Sequence, residues 1–161
     1  MIHLPYIEDV AEFTHTKDPA KCSLPSQVLC TNGVCCTRRD FARGSKIYLA
    51  GEIPAGAYLI KTGAVGLQTN GQPPLSVETL GPDDLVGLSE SIGKHPFLLN
   101  AVALRPTTTT FIKREELARL IRTSPPAAKT MLDMIAKRAS STLKIAKQLK
   151  VQHRQAARTK R

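Results

Sequence analysis

The run Ala57-Tyr-Leu-Ile-Lys-Thr-Gly-Ala-Val-Gly-Leu-Gln-Thr69 decides how this chain is read. Two short apolar segments, 57–61 and 64–69, flank Thr62-Gly63. A glycine between two such segments permits the positive φ of a sharp reversal. The run therefore predicts two strands turning back at Gly63. The same rhythm continues on both sides. Segment 46–50 precedes it, and 75–80, 84–86, 100–104 and 107–112 follow. They are separated by Gly51, Pro54-Ala-Gly56, Asn70-Gly71, Gly81-Pro82 and Pro106. Strands at roughly ten-residue spacing are too close together for crossover helices and predict an antiparallel roll or barrel. Asn70-Gly71 predicts a tight hairpin turn, because both residues tolerate positive φ.

After Ile112 the period becomes helical. Residues 113–122 form a short helix with Leu117, Leu120 and Ile121 on one side. Ser124 then suits an N-cap and Pro125 the first position of a second helix, which meets no breaker before the last residue. Its narrow stripe of Leu132, Ile135, Ala139, Thr142, Ala146 and Leu149 is a candidate dimer seam, and a second copy of the same helix is its simplest partner. Before the roll, Pro25 and Asn32-Gly33 bracket a candidate short helix over 25–36. Three regions result: an N-terminal arm and short helix (1–36), a β-roll with a short helix (37–124), and a long basic C-terminal helix and tail (125–161). The fold class is mainly β with flanking helices, an antiparallel jelly-roll-like β-roll.

At 161 residues and 17.5 kDa the chain fits one domain, and 42% hydrophobic content suffices for a core. Aromatic residues are 4% and Trp is absent, which excludes a broad base-stacking platform. The net charge of +10 is unevenly placed. Asp133 is the last acidic residue, nine Lys and Arg fall in the 28 residues after it, and the first 133 residues carry only +1. Lys147, Lys150, Arg154, Arg158 and Arg161 follow three- and four-residue steps and share a helix face. Such a stripe suits a phosphate backbone but reads no bases.

No basic n-region with an apolar core opens the chain, and no run approaches 18 apolar residues, so a cytoplasmic location and no membrane partner are expected. Cys22, Cys30, Cys35 and Cys36 lack the Cys-x2-Cys spacing of zinc sites, and no metal is expected. Cys35 and Cys36 would be redox-sensitive if Arg38 and Arg39 lowered a thiol pKa. The four histidines are scattered, and no nucleophile elbow, phosphate loop or His-Glu-x-x-His occurs. A non-enzymatic protein is expected.

Five strings in order resemble the cyclic-nucleotide-binding sensor domain of Crp/Fnr-type transcription regulators. They are Arg43-Gly-Ser-Lys-Ile-Tyr-Leu-Ala-Gly-Glu52, Ala57 to Leu67, Leu80-Gly-Pro-Asp-Asp-Leu-Val-Gly-Leu-Ser89, Asn100-Ala-Val-Ala-Leu104, and Thr110-Phe-Ile-Lys-Arg-Glu-Glu-Leu117. The resemblance spans roughly residues 38–150 and implies a ligand cassette over Gly87, Leu88, Ser89, Lys94, Leu99 and Asn100. In that family a short helix offers amides to a cyclic phosphate, an acid after the cassette Gly takes the ribose, and an Arg before a Ser/Thr-Ala pair neutralises the phosphate. Here those places hold Leu88, Leu99 (or Leu98, the cassette being about a residue longer than usual) and Asn100, with Lys94 and His95 mid-loop. The resemblance thus suggests a cyclic nucleotide as ligand, and the cassette disfavours it; no cofactor is assigned. The family's helix-turn-helix is not found before Arg161. The expected function is a dimeric regulatory sensor domain. The alternative is a nucleic-acid-associated protein acting through the basic tail.

Overall fold

The computed structural model describes residues 34–140. Residues 1–33, which hold the expected arm and most of the helix expected over 25–36, and everything after residue 140 lie outside the described residues.

Eight strands form two four-stranded antiparallel sheets. The first contains β1 (Cys36–Phe41), β8 (Thr107–Lys113), β3 (Gly56–Thr62) and β6 (Leu85–Val86), in that spatial order. The second contains β2 (Lys46–Tyr48), β7 (Asn100–Ala103), β4 (Val65–Gln68) and β5 (Ser76–Leu80). Among the described residues there are three helices: α1 (Leu88–Gly93), α2 (Arg114–Thr123) and α3, which occupies 125–140. This is the expected β-roll followed by a C-terminal helix.

Strand β3 shows why the roll holds together. Its side chains alternate between two cores. Ala57 and Leu59 join Leu85, Ile112, Leu117, Leu120 and Met131 beneath the helices. Tyr58 and Ile60 join Ile47, Val65, Leu67, Val86 and Phe111 between the sheets. A strand buried on both faces needs a near-continuous apolar run, which 57–60 supplies. At the reversal after β3, Gly63 has φ +96, and an added Cβ would come within 2.6 Å of the Pro106 carbonyl oxygen and the Thr107 Cα. Any side chain there would collide with backbone as well as strain it. Asp83 also sits at positive φ (73°), in the turn before β6, a conformation aspartate tolerates better than most residues.

Two local expectations are corrected. Asn70-Gly71 is not a tight hairpin turn. Pairing of β4 with β5 stops at Gln68 and Ser76, because Pro73 and Pro74 have no N–H for the ladder. The longer loop is closed by Thr69, whose N–H donates to the Leu75 carbonyl (2.9 Å) and whose Oγ1 accepts from the Leu75 N–H (3.0 Å). Cys36, placed at the end of a helix by the sequence, instead opens strand β1. That strand is polar and largely exposed, so it carries little alternation. It is held by pairing with β8 along its whole length, Cys36 with Ile112 to Phe41 with Thr107.

Helix α3 starts as expected. Ser124 Oγ accepts from the Ala127 N–H (3.4 Å). Met131, Met134 and Ile135 face the core beneath the helices. Of the seam residues, Ile135 is turned toward the roll, Leu132 is 65% exposed and Ala139 is exposed at the rim of a cavity. Thr142, Ala146 and Leu149 lie outside the described residues, as do Lys147, Lys150, Arg154, Arg158 and Arg161.

Candidate ligand-binding site

The site is built around the short helix α1 and the loop after it. Gly87 caps α1 at φ 76, and an added Cβ would meet the Phe97 ring at 2.8 Å. Ser91 is fully buried, its Oγ 2.6 Å from the Gly87 carbonyl oxygen and 2.7 Å from that of Gly56. One hydroxyl proton thus ties α1 to the start of β3. The following loop is pinned at Phe97. Its N–H donates to the Glu52 carbonyl (3.0 Å), its carbonyl accepts from the Gly51 N–H (2.8 Å), and its ring stacks on Tyr48 at a centroid distance of 3.6 Å.

Between this cassette, the second sheet and α3 lies a cavity of about 490 Å3. The roll contributes Tyr48, Leu67, Val77, Glu78, Leu85, Leu88, Ser89, Glu90, Leu98 and Leu99, and α3 contributes Met134, Ile135, Arg138 and Ala139. Three of these residues are charged. Arg138 Nε is 3.8 Å from Glu78 Oε2, both side chains being about one-fifth exposed (22% and 21%). Glu90 Oε2 accepts a hydrogen bond from Ser89 Oγ (2.8 Å). Burial, and next the negative charge of Glu90, hold the Tyr48 hydroxyl above the ordinary tyrosine range. Tyr48 is therefore neutral at physiological pH.

The six cassette residues separate by role. Leu88, Ser89 and Leu99 line the cavity. Gly87 shapes the turn into α1. Lys94 ends α1 at positive φ (56°), is exposed, and is not among the lining residues. Asn100 is occupied by backbone: Oδ1 accepts from the Ala50 N–H (2.8 Å) and Nδ2 donates to the Thr69 carbonyl (3.5 Å). Sequence reasoning missed Glu78, Glu90 and Arg138. Glu78 falls in the expected strand 75–80, Glu90 directly follows the quoted cassette string, and Arg138 was counted only as one of the late basic charges.

Among the described residues, no group of three or more His, Cys, Asp or Glu could hold a metal. At the head of β1, Arg38 pairs with Asp40 (3.0 Å), and the Arg39 guanidinium lies 4.5 Å from the Phe111 ring centroid. Both arginines beside Cys35 and Cys36 are thus engaged by other groups.

A two-sheet roll whose cassette and following helix wall one cavity defines a regulatory ligand-binding domain of the cyclic-nucleotide-binding class. The chain belongs to the cyclic nucleotide-binding domain family, whose sequence model matches residues 38–124. It is similar to the HTH-type transcriptional regulator Cmr of Mycobacterium tuberculosis, with 26% identity over 104 residues, 64% of this chain and 43% of that protein. The chain thus spans less than half of that relative's length. The catabolite activator protein of Thermus thermophilus superposes with a TM-score of 0.63 at 25% identity, over 71% of this chain and 55% of that one. The global regulator CLP of Xanthomonas campestris has the same fold, with a TM-score of 0.61 at 22% identity, over 70% of this chain and 56% of that one. No helix among the described residues is long and apolar enough to cross a membrane.

Proposed function

We propose that this chain is the sensor part of a Crp/Fnr-type transcription regulator in the cytoplasm. It is a non-enzymatic domain, dimeric through its C-terminal helix, with a cassette that lacks ordinary affinity for cyclic AMP. The observation that carries the reading is the wall of the cavity. Where the resemblance places the phosphate-binding Arg stands Leu99, and where it places the ribose-binding acid stands Leu88, 2% exposed. Arg138, the one cation of the lining among the described residues, comes from α3 and pairs with Glu78. Losing a charge-assisted phosphate contact costs about 1.5–3 kcal/mol, and with the ribose contact gone the loss is roughly two decades or more in affinity. Dimerisation is supported by Leu132, a large apolar side chain left 65% exposed on the outer face of α3.

Thermal unfolding of the full chain with cyclic AMP tests the reading. At about 1 mM ligand, a Kd of about 5 μM would add roughly 3 kcal/mol of stability, or a Tm rise of about 6–12 °C. The expected rise is under about 2 °C. A rise in the larger range would refute the cassette argument.

The charge asymmetry favours a second reading, in which the tail with Lys147, Lys150, Arg154, Arg158 and Arg161 binds nucleic acid without sequence preference. With about five phosphates neutralised, the log–log salt slope on duplex DNA should be near −4 to −5. Deleting 147–161 should abolish that binding and leave the roll folded. Binding that survives the deletion would refute this reading.

A further inference from the structure

The cavity has a chemistry of its own. Its apolar wall is formed on the roll by Leu67, Leu88 and Leu99 and on α3 by Met134 and Ile135. Its charged groups among the described residues are two carboxylates, Glu78 and Glu90, against one guanidinium, Arg138. Arg138 is already satisfied in part by Glu78, so an entering anion must compete with a carboxylate for it and also approach Glu90. A phosphodiester meets that repulsion in a partly buried site, where charges interact more strongly than in bulk water. A neutral ring system pays none of it and covers the leucine wall. A volume of about 490 Å3 is that of a pocket for a drug-sized molecule.

We infer that this cavity binds a neutral or cationic, mainly apolar small molecule and that its two carboxylates turn anions away. The inference rests on the sensor reading, since it names the ligand class of that same site. Glu78, Glu90 and Arg138 are its specificity-determining residues, and the ligand bridges roll and helix because it touches both.

Two dyes with one skeleton test it on the full 161-residue chain: neutral N-phenyl-1-naphthylamine and its anionic sulfonate, 8-anilinonaphthalene-1-sulfonate. The neutral dye should bind at least about tenfold more tightly, the factor expected from one unbalanced charge at short range. Glu90→Gln, which balances the wall, should narrow the gap to within about threefold. Leu99→Arg should weaken the neutral dye about tenfold or more and strengthen the sulfonate. Leu98→Arg repeats the test at the rim, where Leu98 is 74% exposed and tolerates a charge without unfolding the roll. Leu132→Ser, on the outer face of α3, should leave both dyes unchanged. Equal binding of the two dyes to the wild type overturns the inference. So does neutral-dye binding that survives both arginine variants, or that is lost in Leu132→Ser. Cyclic AMP titrated in parallel separates the two claims. Micromolar cyclic AMP binding defeats the sensor reading as stated, whereas silence of both cyclic AMP and neutral dye defeats only the ligand class.

Discussion

Arg138 of helix α3 reaches Glu78 of strand β5 at 3.8 Å, beside the cavity that both residues line. The pair links the two walls of the site, and at that distance it is an ion pair rather than a tight hydrogen bond. Both side chains keep about one-fifth of their exposure (22% and 21%), so solvent screens the attraction and its worth is about 1 kcal/mol or less. Glu78→Gln should therefore shift Tm by no more than about 4 °C. It should also raise the affinity for 8-anilinonaphthalene-1-sulfonate several-fold, because Arg138 loses the carboxylate that competes with an anion. Fluorescence titration against a melting curve reads both. An unchanged sulfonate affinity would show that Glu78 does not set the charge of the site.

Ser91 is the hinge pin of the cassette. Its hydroxyl serves two backbone carbonyls, Gly87 and Gly56, from a fully buried position. Ser91→Ala should cost about 1–3 kcal/mol, the penalty for leaving a buried acceptor without its partner. Chemical denaturation measures it. A loss below about 0.5 kcal/mol would mean that α1 is held by Leu88 packing alone.

Asp40 fastens β1 to β8. The Thr108 hydroxyl donates to its Oδ1 at 2.6 Å, and Arg38 adds charge. The Thr108 hydrogen bond first, opposed by burial and aided by Arg38, holds the Asp40 carboxyl below its ordinary 3.8. A lowered folded-state value stabilises the fold above the unfolded value, and the benefit fades as pH falls through the folded one. Asp40→Asn should thus lower Tm by a constant amount between about pH 5 and 7, worth under about 1 kcal/mol because Asp40 is exposed. Below pH 3.8 the gap to wild type should close. A gap that persists undiminished at the lowest pH would assign the loss to packing instead.

Leu132 tests the dimer. Sedimentation of the full chain at tens of micromolar, about the range in which such a seam associates, should show a dimer. Leu132→Glu should show a monomer with the Tm of the roll kept, since Leu132 is 65% exposed and supports no core. A wild-type monomer, or a Leu132→Glu dimer, would contradict the helix seam.

The roll was legible because β3 and β4 are buried along most of their length, β3 on both faces, and so survive in the sequence as apolar runs cut by Gly63. Strand β1 was not, because Thr37 to Asp40 are held by neighbours 68 to 74 residues away and carry no apolar period of their own. The hairpin at Asn70-Gly71 was overruled by Pro73 and Pro74, which the dipeptide rule ignores. At the site, Leu88 and Leu99 were found by noting what was missing from the cassette. Glu78, Glu90 and Arg138 were not found, because they come together from β5, α1 and α3 only when the roll closes. Ile135 illustrates the same limit on α3. A heptad count places it in a seam between copies, and packing turns it toward its own core.

Calorimetric titration of the full chain with cyclic AMP, beside Leu99→Arg, tests the central claim most directly. The wild type should give no resolvable heat, or a Kd weaker than about 100 μM, some two decades short of an ordinary site. Leu99→Arg restores a guanidinium at the cavity wall and should tighten binding about tenfold or more, the worth of a charge-assisted contact. A wild-type Kd in the low micromolar range, unmoved by Leu99→Arg, would contradict the account.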